Sequence, residues 1–524
     1  MASILPRSAR AAAGPAHAAQ PRVRPAAAFA VVLLAALAIN VETTIVNVAL
    51  PSLNSALGSS TRGLQWIVDA YNLAFAALVL VGGALGDKVG RRGVLITGLV
   101  LFAVTSCTAA LCTSTVSLVG ARLAMGVSAA LIYPATLAII TELFTEPRAR
   151  AGAIGAWGAV SGLGVAIGPI LGGALLESFW WGSVFLALIP AAVAAAVGAA
   201  TVIGASAANR AARLDRGGAL LSVLMLSALV YTIIEAPDRG WLSAPTLVGF
   251  GAAGMTFVAF CWWEKGRRHP LIDVGLFVNL RFSAASGAVT VAFFGLFGFI
   301  FLIIQFMQEL RGFGPLETGV RILPVAVSIA VGSVAGTRLA VTRVGTKAVV
   351  CAGLVLLAAA FGWVATMGVD APYPQIAAQM VLLGGGLGLT TAPATDSIMG
   401  VVRAEQAGAG SAVNDATRLI GGTLGVAVLG SIYSTLYGRH LDASRLVSAM
   451  PVEAQLTARQ GLAQGLAAAE HATGPMSETL RQTISDAFMA GLHASCVTAA
   501  AVCAAGALLV VAWLPAHPLT GTRS

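Results

Sequence analysis

The sequence predicts an all-α, polytopic membrane protein, and three observations carry that prediction. Of its 524 residues, 57% are hydrophobic and 10% charged, and the mean hydropathy is +0.86. A soluble domain runs near a quarter charged. The apolar residues fall into runs of about 20, the length that crosses a bilayer as a helix. The basic residues gather in alternate connections between those runs. The net charge of +9 follows from that asymmetry and calls for no nucleic-acid partner.

Residues 1–26 are rich in Ala, Pro and Arg and read as a disordered cytoplasmic tail. A signal peptide is disfavoured, because the apolar run behind Arg24 continues to Pro51 as one full-length span. Fourteen spans are expected, at 27–50, 64–85, 93–113, 116–142, 152–175, 183–205, 217–235, 246–263, 283–307, 318–339, 348–368, 376–400, 410–434 and 487–513. An even count puts both ends on one side. That side holds Lys88, Arg91, Arg92, Arg148, Arg150, Arg210, Arg213, Arg216, Lys265, Arg267, Arg268, Arg343, Lys347 and Arg403. The short opposite loops hold Arg62, Arg239 and Arg311, with Arg321 close by. Short cytoplasmic loops carry the excess of Lys and Arg, so both termini are expected in the cytoplasm and the protein in the cell (inner or plasma) membrane. The long outside segment 435–486 has charges of both signs, and short amphipathic helices on or above the membrane are expected there.

A short repeat organises the chain. Lys88-Val89-Gly90-Arg91-Arg92 follows span two, and Arg343-Val344-Gly345-Thr346-Lys347 follows span ten. Pairing those spans makes 27–205 and 283–513 two six-helix bundles, with 206–282 an inserted pair and 514–524 a cytoplasmic tail. Repeated halves with a site at their interface are common in transporters. The six cysteines lie in apolar segments without disulfide or metal spacing and read as small packing residues.

A handful of polar residues interrupts the apolar runs. Glu42 lies about nine residues from the outer end of span one, roughly 13 Å deep at about 1.5 Å per residue. A charge there costs about 2.5–3.5 kcal/mol or more, so the acid must face a cavity, pair, or take up a proton. Asp69 sits about one to two turns into span two and reads equally as a substrate-facing acid and as a solvated rim residue. Arg122 is the one base deep in the first half; an Arg cannot release its proton, and Glu42 and Asp69 are both candidate partners. Met125 lies one turn on. Purely structural ion pairing is the alternative for Glu42 and Arg122.

The loop Gly83-Ala84-Leu85-Gly86-Asp87-Lys88-Val89-Gly90-Arg91-Arg92 turns the chain straight back into the bilayer. Gly83, Gly86 and Gly90 are expected to allow close packing and turn angles, and Asp87 to cap a helix or pair with a base. Span five carries Gly164, Gly168, Pro169, Gly172 and Gly173, spacing that suits close helix packing. In the second half, Asp396 ends span twelve, and Asp415 and Arg418 form an i,i+3 pair with an expected structural or gating role. Gln305 and Gln308 end span nine, where they are candidates to line a cavity. No phosphate-cradling loop, nucleophile elbow or metal-ligand cluster occurs, so neither an enzyme nor a cofactor is expected.

The loop at 83–92 resembles the signature loop between spans two and three of the major facilitator superfamily. With the Arg122 helix, the Gly-Pro-x-x-Gly-Gly ending of span five, the Glu42–Pro51 segment and fourteen spans, the chain resembles the EmrB/QacA-type drug:proton antiporters of that superfamily. The resemblance covers nearly all of the chain outside the N-terminal tail. It implies the major facilitator fold and efflux of amphipathic, often cationic compounds in exchange for protons by alternating access, by a protein expected to be a monomer. Glu42 and Arg122, with Asp69, are the expected proton-coupling groups, and Asp69, Met125, Gln305 and Gln308 the cavity candidates. Two residues depart from the pattern: the span-one acid is usually Asp, and a Gln usually stands at the position of Met125. Dedicated export of one metabolite, such as a self-made antibiotic, is the rival within transport. A transport-inactive membrane sensor or scaffold is the rival outside it.

Overall fold

The computed structural model describes residues 25–204, 215–267, 270–271, 274–340, 344–401, 407–470 and 475–515. The expectations for both tails and for Arg210, Arg213, Arg268, Arg343 and Arg403 fall outside them. Each apolar run is a helix, because in hydrocarbon every backbone N–H and C=O must be satisfied within its own segment. In chain order these are α1 (Pro25–Leu57), α2 (Thr61–Val89), α3 (Arg91–Ala110), α4 (Thr115–Leu143) and α5 (Pro147–Ser178). They continue with α6 (Ser183–Val202), α7 (Arg216–Arg239), α8 (Ala244–Lys265), α9 (Leu280–Leu310) and α10 (Pro315–Leu339). The last four are α11 (Gly345–Val364), α12 (Tyr373–Val401), α13 (Ala407–Ala443) and α14 (Pro475–Trp513). Thirteen are long and apolar enough to cross a membrane by their described residues. The remaining one, α5, spans 32 residues, of which Ala166–Ser178 form its described apolar stretch.

Helix starts follow local chemistry. The Ser60 hydroxyl accepts from the Gly63 N–H to open α2, Ser114 and Ser117 form a reciprocal capping box at α4, and the Asp215 carboxylate accepts from Gly218 N–H at α7. The helices run longer than the hydropathy pattern indicates. The first passes through Pro51 to Leu57, and α14 begins at Pro475 rather than near 487. Polar turns at span ends extend a helix into the interface without extending its apolar signal.

The packing repeats in two halves. As α2 packs on α4, α1 on α5, α3 on α4 and α3 on α6, so α10 packs on α12, α9 on α13, α11 on α12 and α11 on α14. Gly90 (φ +105°) and Gly345 (φ +78°) occupy the same place in each half, at the start of the third helix of the set. The left-handed backbone there requires glycine, and this is the physical content of the short sequence repeat. The α7–α8 hairpin packs along the seam where α2 meets α13. The Ser222 hydroxyl donates to Ala77 C=O of α2, and the Ser431 hydroxyl of α13 donates to Ile233 C=O of α7.

Between α13 and α14 lie three short helices, Arg445–Ser448, Val452–Arg459 and Leu462–Glu470. They are docked on protein: Gln464 exchanges hydrogen bonds with Asn54, its Nε2 also donates to Ser59 C=O at 2.8 Å, and Thr61 N–H donates to Gln460 C=O at 2.7 Å.

Candidate functional site

The charges buried deepest in the first half come together from three helices. Glu42 on α1 and Arg122 on α4 form an ion pair, Oε1 to Nη1, with side chains 0% and 1% exposed. Arg122 Nε donates to Ile67 C=O of α2 at 2.9 Å, and the guanidinium lies 4.4 Å from the centroid of the Tyr71 ring. Of the two acids the sequence left open, Arg122 therefore takes Glu42. Among the described residues, the second Glu42 oxygen has no hydrogen-bond partner. Asp69, half a turn from Ile67, is also fully buried, and neither of its carboxylate oxygens has a hydrogen-bond partner among the described residues. This corrects the solvated-rim alternative, since neighbouring helices cover a position that depth along α2 alone would leave near water. Met125 is fully buried as well.

An uncompensated carboxylate in a dry interior is costly, so such a group takes up a proton or a cationic partner. A permanent cation held on an aromatic face competes with that proton for Glu42. The arrangement is suited to exchanging one positive charge for another.

At one end of the bundle, α2 passes into α3 through Gly90 alone, whose N–H donates to Gly86 C=O at 2.9 Å. Asp87 caps neither helix; it accepts from Arg91 at 2.9 Å, and Arg91 also donates to Ala138 C=O and pairs with Glu142 of α4. Arg92 reaches Ala200 C=O of α6. The loop thus ties α2, α3, α4 and α6 together. The expected turn angle is found at Gly90, whereas the expected close packing at Gly83 and Gly86 needs correction. A Cβ at Gly83 or Gly86 would make only ordinary contacts, 3.6 Å from Pro134 and 3.7 Å from Arg91. The position that admits no side chain is Gly82, where a Cβ would run into the Ala130 carbonyl of α4. Helical phase, invisible in a Gly-Gly pair, decides which of the two faces the neighbour.

The glycines of α5 serve two partners. Gly164, Gly168 and Gly172 pack on Asn40, Thr44 and Ile45 of α1, flanking Glu42. Gly173 packs on Pro315 and Leu316 of α10, and Gly319 of α10 packs on Pro169. The motif therefore binds the first half to itself and to the second.

A family model described as Major Facilitator Superfamily matches residues 32–426. The chain belongs to the Major Facilitator Superfamily. It is 32% identical over 483 residues to the multidrug efflux pump LfrA of Mycolicibacterium smegmatis, covering 92% of this chain and 95% of that protein. It is 34% identical over 404 residues to the multidrug resistance protein Stp of Mycobacterium tuberculosis, covering 76% and 74%. It is 29% identical over 503 residues to the tetracenomycin C resistance and export protein of Streptomyces glaucescens, covering 95% and 93%. A crystal structure of a bacterial homolog of the human lysosomal transporter Spinster superposes with a TM-score of 0.65 at 18% identity, over 93% of this chain and 98% of that one.

In this superfamily member the named polar and glycine contacts between the halves lie away from loop 83–92. Gln65 Nε2 on α2 donates to Val426 and Ala427 C=O of α13, both at 3.2 Å. Gln308 Nε2 on α9 donates to Val48 C=O of α1 at 3.0 Å. Gln308 thus bridges the halves, whereas Gln305 is buried and donates to Phe301 C=O of its own helix. Gln308 lies in the π-helical stretch Phe306–Leu310, a local irregularity found often at functional sites. Gln65 and Gln464 were missed in the sequence. The available signal was an amide inside or beside an apolar run, but no local pattern names a partner 361 residues away.

The second-half pair keeps its electrostatic contact, and Arg418 adds a partner on the next helix. Asp415 is buried, Arg418 donates to Thr395 of α12 at 3.2 Å and lies over Phe293, and Thr395 donates to Asn414 at 3.1 Å. Asp396 is exposed, and beside it Ser397 accepts from Arg281 of α9 at 3.3 Å.

Proposed function

We propose that this protein is a fourteen-span drug:proton antiporter that exports amphipathic, often cationic compounds by alternating access, working as a transporter and not as an enzyme. The observation that carries the proposal is the Glu42–Arg122 pair, buried beside the unpartnered Asp69 within one bundle. Neither charge is explained by packing, since apolar residues of similar volume would be as stable or more so. In the proposed cycle Glu42 is the main proton carrier, Arg122 regulates it electrostatically, and Asp69 receives the cationic part of a substrate. One charge crossing 100 mV supplies about 2.3 kcal/mol, enough for a gradient of nearly fiftyfold.

The two halves, 27–205 and 283–513, rock about the seam, with 206–282 as the inserted pair. The charge bias of the loops supports cytoplasmic termini. With that orientation the cross-bundle contacts of Gln65 and Gln308 close the outer end, and loop 83–92 gates the inner one. The names of LfrA and Stp support a broad substrate range. Export of a single self-made compound is the second reading, favoured by the near full-length likeness to the tetracenomycin C export protein.

A susceptibility panel in a pump-deleted host, with and without an uncoupler, tests the proposal. Uncoupler-sensitive resistance to several unrelated cations is expected. Resistance to one neutral compound alone favours the second reading, and resistance untouched by the uncoupler overturns proton coupling.

A further inference from the structure

The α7–α8 hairpin carries a feature that transport does not use. Only 17% of the apolar stretch of α8 is buried in the protein, the smallest share among the thirteen spans, so few of its side chains are enclosed by other helices. It ends at the same end of the molecule as loop 83–92. There Trp262, Trp263, Lys265, Gly266 and Arg267 line a concavity of about 380 Å³.

The floor of this concavity is built rigidly. Trp263 Nε1 donates to both carboxylate oxygens of Asp215, at 2.9 and 3.2 Å, which ties the end of α8 to the start of α7. The backbone of Gly217 passes so close to the indole that no side chain fits between them. The Arg267 guanidinium lies 3.8 Å from the centroid of the Trp263 ring, so stacking holds its donors at the rim. Trp262 is 78% exposed and lines the concavity beside them.

Among the described residues, the charged side chains that line the concavity are Lys265 and Arg267. Asp215 is occupied by Trp263 and by the Gly218 N–H, and Glu264 is buried. Both carboxylates are held inward, so the donors presented to the concavity are those of Lys265 and Arg267.

We propose that this concavity binds the headgroup of an anionic phospholipid from the adjacent leaflet. Its phosphodiester accepts hydrogen bonds from Lys265 and Arg267, and its glycerol and upper acyl chain lie along Trp262. Indoles at the headgroup level with cations beside them are the chemistry by which proteins hold anionic lipid. A zwitterionic lipid brings an ammonium that both cations repel. A soluble phosphate has no chain to lay against the exposed indole.

The test is native mass spectrometry of the delipidated full-length protein, titrated with phosphatidylglycerol or with phosphatidylcholine of the same acyl chains. Wild type is expected to retain phosphatidylglycerol preferentially. Lys265→Gln with Arg267→Gln should weaken that binding roughly tenfold and leave phosphatidylcholine unchanged. The charge-preserving exchange Lys265→Arg with Arg267→Lys should retain the preference, which separates loss of the site from misfolding. The proposal is overturned if wild type shows no preference between the two lipids, if the doubly neutralised variant binds phosphatidylglycerol as wild type does, or if inorganic phosphate displaces the lipid at equal concentration.

Discussion

Glu42→Gln isolates the role of the buried pair, and the structure sets the size of its effect. Removing one partner of a buried ion pair costs about 3–5 kcal/mol, because the other charge is left uncompensated. Here part of that cost is offset. The substituted amide keeps an oxygen for Arg122 Nη1, and Arg122 keeps the Ile67 carbonyl at 2.9 Å and the face of Tyr71, the latter worth about 0.5–2 kcal/mol. The net loss is then about 2–3 kcal/mol. The purified variant should fold and insert but lose fluorescence-monitored gel-filtration signal at a lower temperature than wild type. Arg122→Gln should cost less, since Glu42 can shed its charge by taking a proton whereas Arg122 cannot. Glu42→Gln with Arg122→Gln should recover part of the loss, a coupling of about 0.5–3 kcal/mol in the double-mutant cycle. Function should respond without that recovery. In proteoliposomes with an imposed proton gradient, the single Glu42→Gln variant and the double variant should both bind an amphipathic cation yet fail to concentrate it. Normal uphill pumping by Glu42→Gln, together with complete loss in Asp69→Asn, would refute the assignment and move the coupling site to α2.

Asp69→Asn should weaken export of cationic substrates and spare neutral ones, read as the ratio of their transport KM values, because only the cation loses its charge partner. Asp87→Asn should cripple transport at unchanged membrane abundance. The Asp87 side chain is 55% exposed, so its pair with Arg91 holds about 1 kcal/mol or less of stability, and wild-type efflux would remove it from gating. Gly82→Val should reduce folded protein several-fold by driving α2 off Ala130, whereas Gly83→Ala should express normally; equal yields would refute the packing assignment. Reporter fusions after Ser206 and Ser477 should report cytoplasmic and external locations respectively, and reversed signals at both would overturn the topology.

Hydropathy and charge determined a good deal of this chain on their own. Helix number and order, the alternation of basic loops and the two-part repeat at Gly90 and Gly345 were legible because each depends on local sequence. A run of about 20 apolar residues has no other low-energy structure in a bilayer, and a left-handed turn admits little but glycine. The cost of burying Glu42 and Arg122 was likewise visible from depth alone. Partner choice was not. That Arg122 takes Glu42 and leaves Asp69 bare depends on the relative rotation of three helices. The same rotation gave close packing to Gly82 rather than Gly83, turned Gln308 onto Val48, and gave Arg418 a hydrogen bond to Thr395 of the neighbouring helix. The docking of residues 445–470 on the ends of α1 and α2 required two segments some four hundred residues apart to meet. Periodicity states which residues share a face; only the packed bundle decides what that face meets.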